Sequence, residues 1–105
     1  MFKVFRTEEF ERLMHKLLTK EQQDRVIKIE EEISKVGFTG DPLGLNFLRE
    51  KRISEKRIYF LIYEDLKSVL MVSISNKKTQ QETIDKIKEY LPEFRRLMDE
   101  LIKTT

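Results

Sequence analysis

Cysteine is absent from this chain. That excludes a disulfide framework, a thiolate nucleophile and any cysteine-ligated metal. Histidine occurs once, at His15, too few nitrogen ligands for a zinc centre. A hydroxyl–imidazole–carboxylate triad is open by count alone, but His15 falls beside the apolar stripe of a helix, the place of a surface residue. Long apolar runs are also missing. No stretch approaches the roughly 20 residues that a membrane span needs. The opening MFKVFRTEEF is broken by charge at once and is no signal peptide. A cytoplasmic location is expected. Glycine and proline are scarce, and all three glycines and one of the two prolines crowd into Gly37–Gly44. This stretch reads as a loop, not a domain linker, and it lacks the lysine spacing of a phosphate-cradling Walker motif. Residues 1–105 are therefore expected to form one domain.

What the chain has in excess is charge. Asp, Glu, Lys and Arg make up 38% of it, well above the usual quarter. The net charge of +2 is unevenly spread. Residues 49–78 hold eight basic and four acidic side chains, 7–36 hold six and eight, and 79–105 hold five and six. The positive excess lies in the middle of the chain, and local positive charge is what attracts a phosphate backbone.

The apolar residues are periodic. Phe2, Val4 and Phe5 suggest a short first strand. Thr7 is a helix cap with Glu8 and Glu9 in the first turn. Phe10, Leu13, Met14, Leu17 and Leu18 follow at helical spacing. Thr19 to Gln22 fits a capping box, Val26, Ile29, Ile33 and Val36 form the next stripe, and Gly37 is a helix stop. Arg57–Tyr63 and Val69–Ile74 are rich in aromatic and β-branched residues and read as an antiparallel hairpin across a polar turn. Strand alternation puts Ile58, Phe60 and Ile62 on one face and Arg57, Tyr59, Leu61 and Tyr63 on the other. The first set is expected to pack on the helices and the second to stand open. Thr79 to Glu82 fits a second capping box. The stripe Ile84, Ile87, Leu91 is interrupted by Pro92 before Phe94, Leu97, Met98 and Leu101 resume it, as one kinked helix or two. The order predicts an α+β fold with helices on one face of a small sheet.

One constellation carries possible chemistry: Arg49, Lys51, Arg52, Arg57, Lys77 and Lys78, from the ends of three neighbouring strands. On an exposed sheet face they can hold nucleic-acid phosphates, and arginine can stabilise charge on phosphorus. The alternative is a set of solvated edge cations, partnered by Glu50, Glu55, Glu64 and Asp65, that prevent aggregation. Tyr59 and Tyr63 on the same face suit base stacking or, alternatively, cross-strand packing.

The element order, the loop Asp41–Gly44 and above all RIYFLIYEDLKSVLMVSISNKKTQQE resemble the RelE/ParE superfamily of type II toxins. The resemblance runs from Pro42 to about Tyr90. It implies a RelE-like fold with two N-terminal helices packed on a small, mainly antiparallel sheet and a C-terminal helix. It further implies a ribosome-dependent endoribonuclease that cleaves mRNA without a metal or other cofactor and is neutralised by a cognate antitoxin. Arg57 matches the family arginine that opens the central strand, and Lys77 and Lys78 match the basic turn. With Lys51 these are the catalytic candidates, and Arg49, Arg52, Tyr59 and Tyr63 are the RNA-binding ones. The resemblance equally admits a ParE-like inhibitor of DNA gyrase, or an inactive member that only binds antitoxin or nucleic acid. It departs in the last helix, where Ile84 stands in the region in which many active interferases carry tyrosine or histidine.

Overall fold

A computed structural model describes all 105 residues. The elements run β1 (Lys3–Arg6), α1 (Glu8–Leu17), α2 (Lys20–Val36), β2 (Asp41–Pro42), β3 (Leu48–Ile53), β4 (Lys56–Tyr63), β5 (Ser68–Asn76), α3 (Gln80–Glu89) and α4 (Leu91–Thr104). They form one sheet of order β1-β5-β4-β3-β2. Every pairing is antiparallel except that of β1 with β5.

Local chemistry places the helix ends. The Thr7 hydroxyl accepts from the Phe10 N–H and starts α1. Thr19 and Gln22 complete the expected capping box, each side chain bonding the other's backbone N–H. Gly37 closes α2 at φ +68°, and a Cβ there would meet the Phe2 ring at 2.4 Å, so both conformation and space require glycine. The second capping box does not form. Thr79 makes no side-chain cap bond to α3. Asn76 instead takes the Thr79 N–H on its side-chain oxygen and caps the single 3-10 turn of Lys77–Thr79. Pro92 lies in the first turn of α4, so the C-terminal segment is two helices.

The division of the hairpin into faces holds, but the openness of the second face does not. Ile58, Phe60 and Ile62 pack with Phe10, Met14, Leu18, Val26 and Ile33 from α1 and α2. The other face of β4 is equally covered. Tyr59, Leu61 and Tyr63 pack with Leu70, Val72, Ile84, Ile87 and Met98 beneath α3 and α4. The sheet therefore has helices on both faces, not one. The cause is visible in β4 and β5, where the apolar residues run nearly unbroken, the pattern of strands covered on both sides. The register slips once: Tyr59 faces Ser73 and Phe60 faces Met71, leaving Val72 as an extra residue. This bulge keeps Ile74 on the α1–α2 side with Ile58. No helix is long and apolar enough to cross a membrane.

The two threonine signatures should separate in urea denaturation. Thr19→Ala, which removes a formed cap, should destabilise by about 1 kcal/mol. Thr79→Ala should stay within about 0.5 kcal/mol, and Asn76→Ala should carry the cap loss instead. Equal losses for Thr19→Ala and Thr79→Ala would contradict the assignment of the caps.

Candidate functional site

The ends of β3 and β5 and the start of β4 meet at one end of the sheet. Arg52 lies opposite Arg57, and Arg57 opposite Ser75. A tight turn at Ser54–Glu55 joins β3 to β4, with Ser54 at φ +54°. The turn Lys77–Thr79 leaves β5 at the same end and delivers Gln80, the first residue of α3, over the sheet. Arg52, Lys77 and Lys78 are exposed, Lys56 is partly so, and none of the four is within salt-bridge distance of a carboxylate. Four unpaired cations at one end, with Glu55 the exposed carboxylate of the adjoining turn, favour a local positive potential there.

Beneath this rim is a buried polar cluster. Arg57 is only 5% exposed and Glu50 only 2%. The Arg57 Nε lies 3.9 Å from the Glu50 carboxylate, too far for a hydrogen bond. It has no other acceptor and is the one buried side-chain nitrogen or oxygen left unsatisfied. The Gln80 amide donates to Glu50 Oε1 at 2.6 Å and covers the carboxylate from α3. On the same side the Tyr59 and Ser75 hydroxyls meet at 2.8 Å, and the Ser75 proton goes to the Asn76 carbonyl, so the Tyr59 hydroxyl donates to Ser75.

The expected site residues do not all converge. Arg49 and Lys51 alternate with Glu50 and Arg52 along β3 and so point to the α2 side. Lys51 pairs with Glu32 of α2 at 2.8 Å. Arg49 is held by the carbonyls of Asn46 and Gly40 and by the Asn46 side chain, and lies over the Phe38 ring. Tyr59 and Tyr63 are 0% and 8% exposed. They are packed in the second core rather than open for stacking, because α3 and α4 cover their face. Tyr63 also lies at the far end of β4 from Arg57, under the Arg95 guanidinium. Sequence reading missed Glu50, taken there for a surface partner, and Gln80. The signal for Glu50 was its alternation with Arg49 and Lys51, which puts it on the Arg57 side. Nothing in the sequence marks Gln80.

Comparison with known proteins follows this geometry. No family model matches the chain, and no curated protein does. Solved structures do. The isolated E. coli RelE toxin superposes with a TM-score of 0.64 at 12% identity, over 83% of this chain and 99% of that one. A chain of the intact E. coli RelBE toxin–antitoxin complex gives 0.64 at 10% identity, over 72% and 96%. One of the Mycobacterium tuberculosis RelBE2 toxin–antitoxin complex gives 0.58 at 16% identity, over 72% and 91%. This chain has a RelE-like fold. At these identities the likeness is one of fold, and it is the fold that the resemblance of Arg57–Glu82 implied.

Two measurements probe the site's electrostatics. Removing one member of a buried pair leaves the other charge unpaired, so Glu50→Leu or Arg57→Met alone should cost about 3–5 kcal/mol in urea unfolding. The double variant should cost much less than the two losses together, and strict additivity would show that the pair does not interact. Burial pushes the Tyr63 phenol up to about 12, opposed by the Arg95 guanidinium above its ring. Its folded-state value lies above the ordinary 10.0, so its contribution is fully present below that pH and is lost as pH rises through the folded value. Stability should fall from pH 10 to 12, and Tyr63→Phe should flatten that fall. Identical pH profiles would refute the assignment.

Proposed function

We propose that this chain is the toxin of a type II toxin–antitoxin pair and that it acts in the cytoplasm as an endoribonuclease on ribosome-bound mRNA. The observation that carries the reading is the end of the sheet: a rim of unpaired cations over a buried arginine–carboxylate pair, on a RelE-like fold. The rim residues Arg52, Lys56, Lys77 and Lys78 hold the RNA backbone by charge. Arg57 stabilises the negative charge that develops on the scissile phosphate. Glu50, 3.9 Å from Arg57, is the carboxylate placed to take the proton from the ribose 2′-hydroxyl. The freed oxygen attacks phosphorus, the bond to the 5′ oxygen breaks, and that oxygen takes a proton from water at the open rim. The products are a 2′,3′-cyclic phosphate and a free 5′-hydroxyl. Both groups lie under the first turn of α3, so RNA reaches them once Gln80 swings away from Glu50. Arg49 and Lys51, committed on the other face, serve the fold in this reading. The expected protein partner is a cognate antitoxin.

Induced expression in bacterial cells, with primer extension on a translated message, tests this. The wild type should arrest growth and leave cuts within codons. Glu50→Gln should lower the cutting rate about 10²- to 10⁴-fold, the usual worth of a general base. The double change Lys77→Ala and Lys78→Ala should weaken RNA binding and reduce the magnitude of its salt slope by about 2. Growth arrest without cuts, or with inhibited supercoiling, would replace the nuclease reading by a non-nucleolytic one.

A further inference from the structure

Between α1 and α3 the surface opens into a cavity of about 340 Å³, within the roughly 300–1,000 Å³ range of ligand clefts. Its interior is apolar. Val72, Ile74 and Ile87 are buried in the lining, with Leu13 and Phe94 half-buried beside them. Thr7 is the one polar residue at that depth, and its hydroxyl is already bonded to the Phe10 N–H. The mouth is polar and charged. Glu82, Thr83, Lys86 and Tyr90 line it from α3, and their three- and four-residue spacing puts them on one helical face. Glu82 and Lys86 are exposed, and the Tyr90 ring stands 44% exposed beside them.

Two opposite charges at this mouth have no partner. A glutamate four residues before a lysine is the favourable order for a helical ion pair. Yet Glu82 and Lys86 form no salt bridge, with each other or with any other residue. Glu9, across the opening on α1, differs: Arg12 donates to both its oxygens at 2.8 Å. Arg12, and after it Lys86, hold the Glu9 carboxyl below the usual carboxylate range, so the Lys86 ammonium acts across the opening. This lining selects its ligand. A hydrocarbon leaves both charges unmet. An RNA strand brings negative charge against Glu9 and Glu82. A simple cation or anion answers one charge and leaves the apolar interior empty. A free α-amino acid with a large apolar side chain answers all three: ammonium to Glu82, carboxylate to Lys86, side chain to the interior. Side chains four apart on a helix start about 5–6 Å from each other, a gap that one α-carbon bearing both groups can bridge. The Thr83 hydroxyl on the same face and the half-buried Ser73 of β5 offer further hydrogen bonds.

We propose that this cavity binds a free α-amino acid with a large apolar side chain, of the leucine, methionine or phenylalanine kind. Glu82 holds its ammonium, Lys86 its carboxylate, and the space between α1 and α3 its side chain. The site stands independently of the nuclease reading, since its lining includes neither Glu50 nor Arg57 nor any cation of the rim.

Calorimetric titration of the purified full chain with free L-amino acids at millimolar concentration tests it. Leucine, methionine or phenylalanine should bind, and glycine, which lacks the side chain, should bind far more weakly. Blocking either charge of the ligand, by N-acetylation or by conversion of the carboxylate to the amide, should abolish binding. Glu82→Gln and Lys86→Gln should each weaken it about 10-fold, the scale of a hydrogen bond to a charged group. Glu89→Gln and Lys88→Gln make the same charge changes at exposed positions of α3 outside the lining, and should leave affinity unchanged. Backbone amide shifts on binding should fall on Val72–Ile74 and Glu82–Tyr90. The inference is overturned if no free amino acid binds, or if the blocked derivatives bind as well as the free ones. Affinity indifferent to Glu82→Gln and Lys86→Gln, or shifts elsewhere on the chain, would overturn it equally. Since none of these readouts involves growth arrest or RNA cleavage, failure here and failure of the toxin reading are separate results.

Discussion

The structure depends on a strand that has no solvent face. In β4 the backbone is paired on both edges, and Arg57 to Tyr63 are all buried. A strand buried on two faces obliges the chain to supply two covering layers, and it does so in order: α1 and α2 before the hairpin, α3 and α4 after it. Each fully buried large apolar side chain contributes about 1.5–3 kcal/mol, and twelve of the largest side chains here are fully buried. Neither layer can be dispensed with, because removing one exposes half of those contacts. The charged surface follows from the same constraint. With the apolar residues drawn into two cores, the outside is left to lysine, arginine and glutamate, some of them in ion pairs such as Arg6 with Glu30 and Arg95 with Asp65.

Much of this was legible. The caps at Thr7 and Thr19, the stop at Gly37 and the face assignment of Ile58, Phe60 and Ile62 follow from residue chemistry and period alone. The second core was less so. Strand alternation separates two sets of side chains but does not say whether the second set is covered. Tyr59 and Tyr63, with polar tips, read as open when they are buried. The apolar stripe of Ile84, Ile87 and Met98 showed that the last helices need a surface, but not that it is the far side of the sheet. The Thr79 pattern failed for a local reason: Asn76, three residues earlier, competes for the same N–H and wins. Arg49 and Lys51 failed for want of a strand boundary. Once β3 is known to run from Leu48 to Ile53, period two puts them opposite Arg52 and beside α2.

The site is the one place where the fold violates its own rules. A buried guanidinium nitrogen without an acceptor costs about 1–3 kcal/mol, and Arg57 Nε is the only buried side-chain atom left so. Such exceptions gather where function holds a residue in place. The structure that hides this pair is also lightly fastened. α3 begins without a side-chain cap from Thr79, directly after a 3-10 turn of exposed lysines. Its first residue is tied to the sheet through one amide-to-carboxylate bond, Gln80 to Glu50. Deeper along α3, Ile84 and Ile87 are buried and hold the helix down. In the proposed mechanism it is this first turn that lifts, while the rest of the helix stays packed. That opening would bring the buried pair to solvent within the cationic rim and leave the second core, held by Ile84 and Ile87, intact.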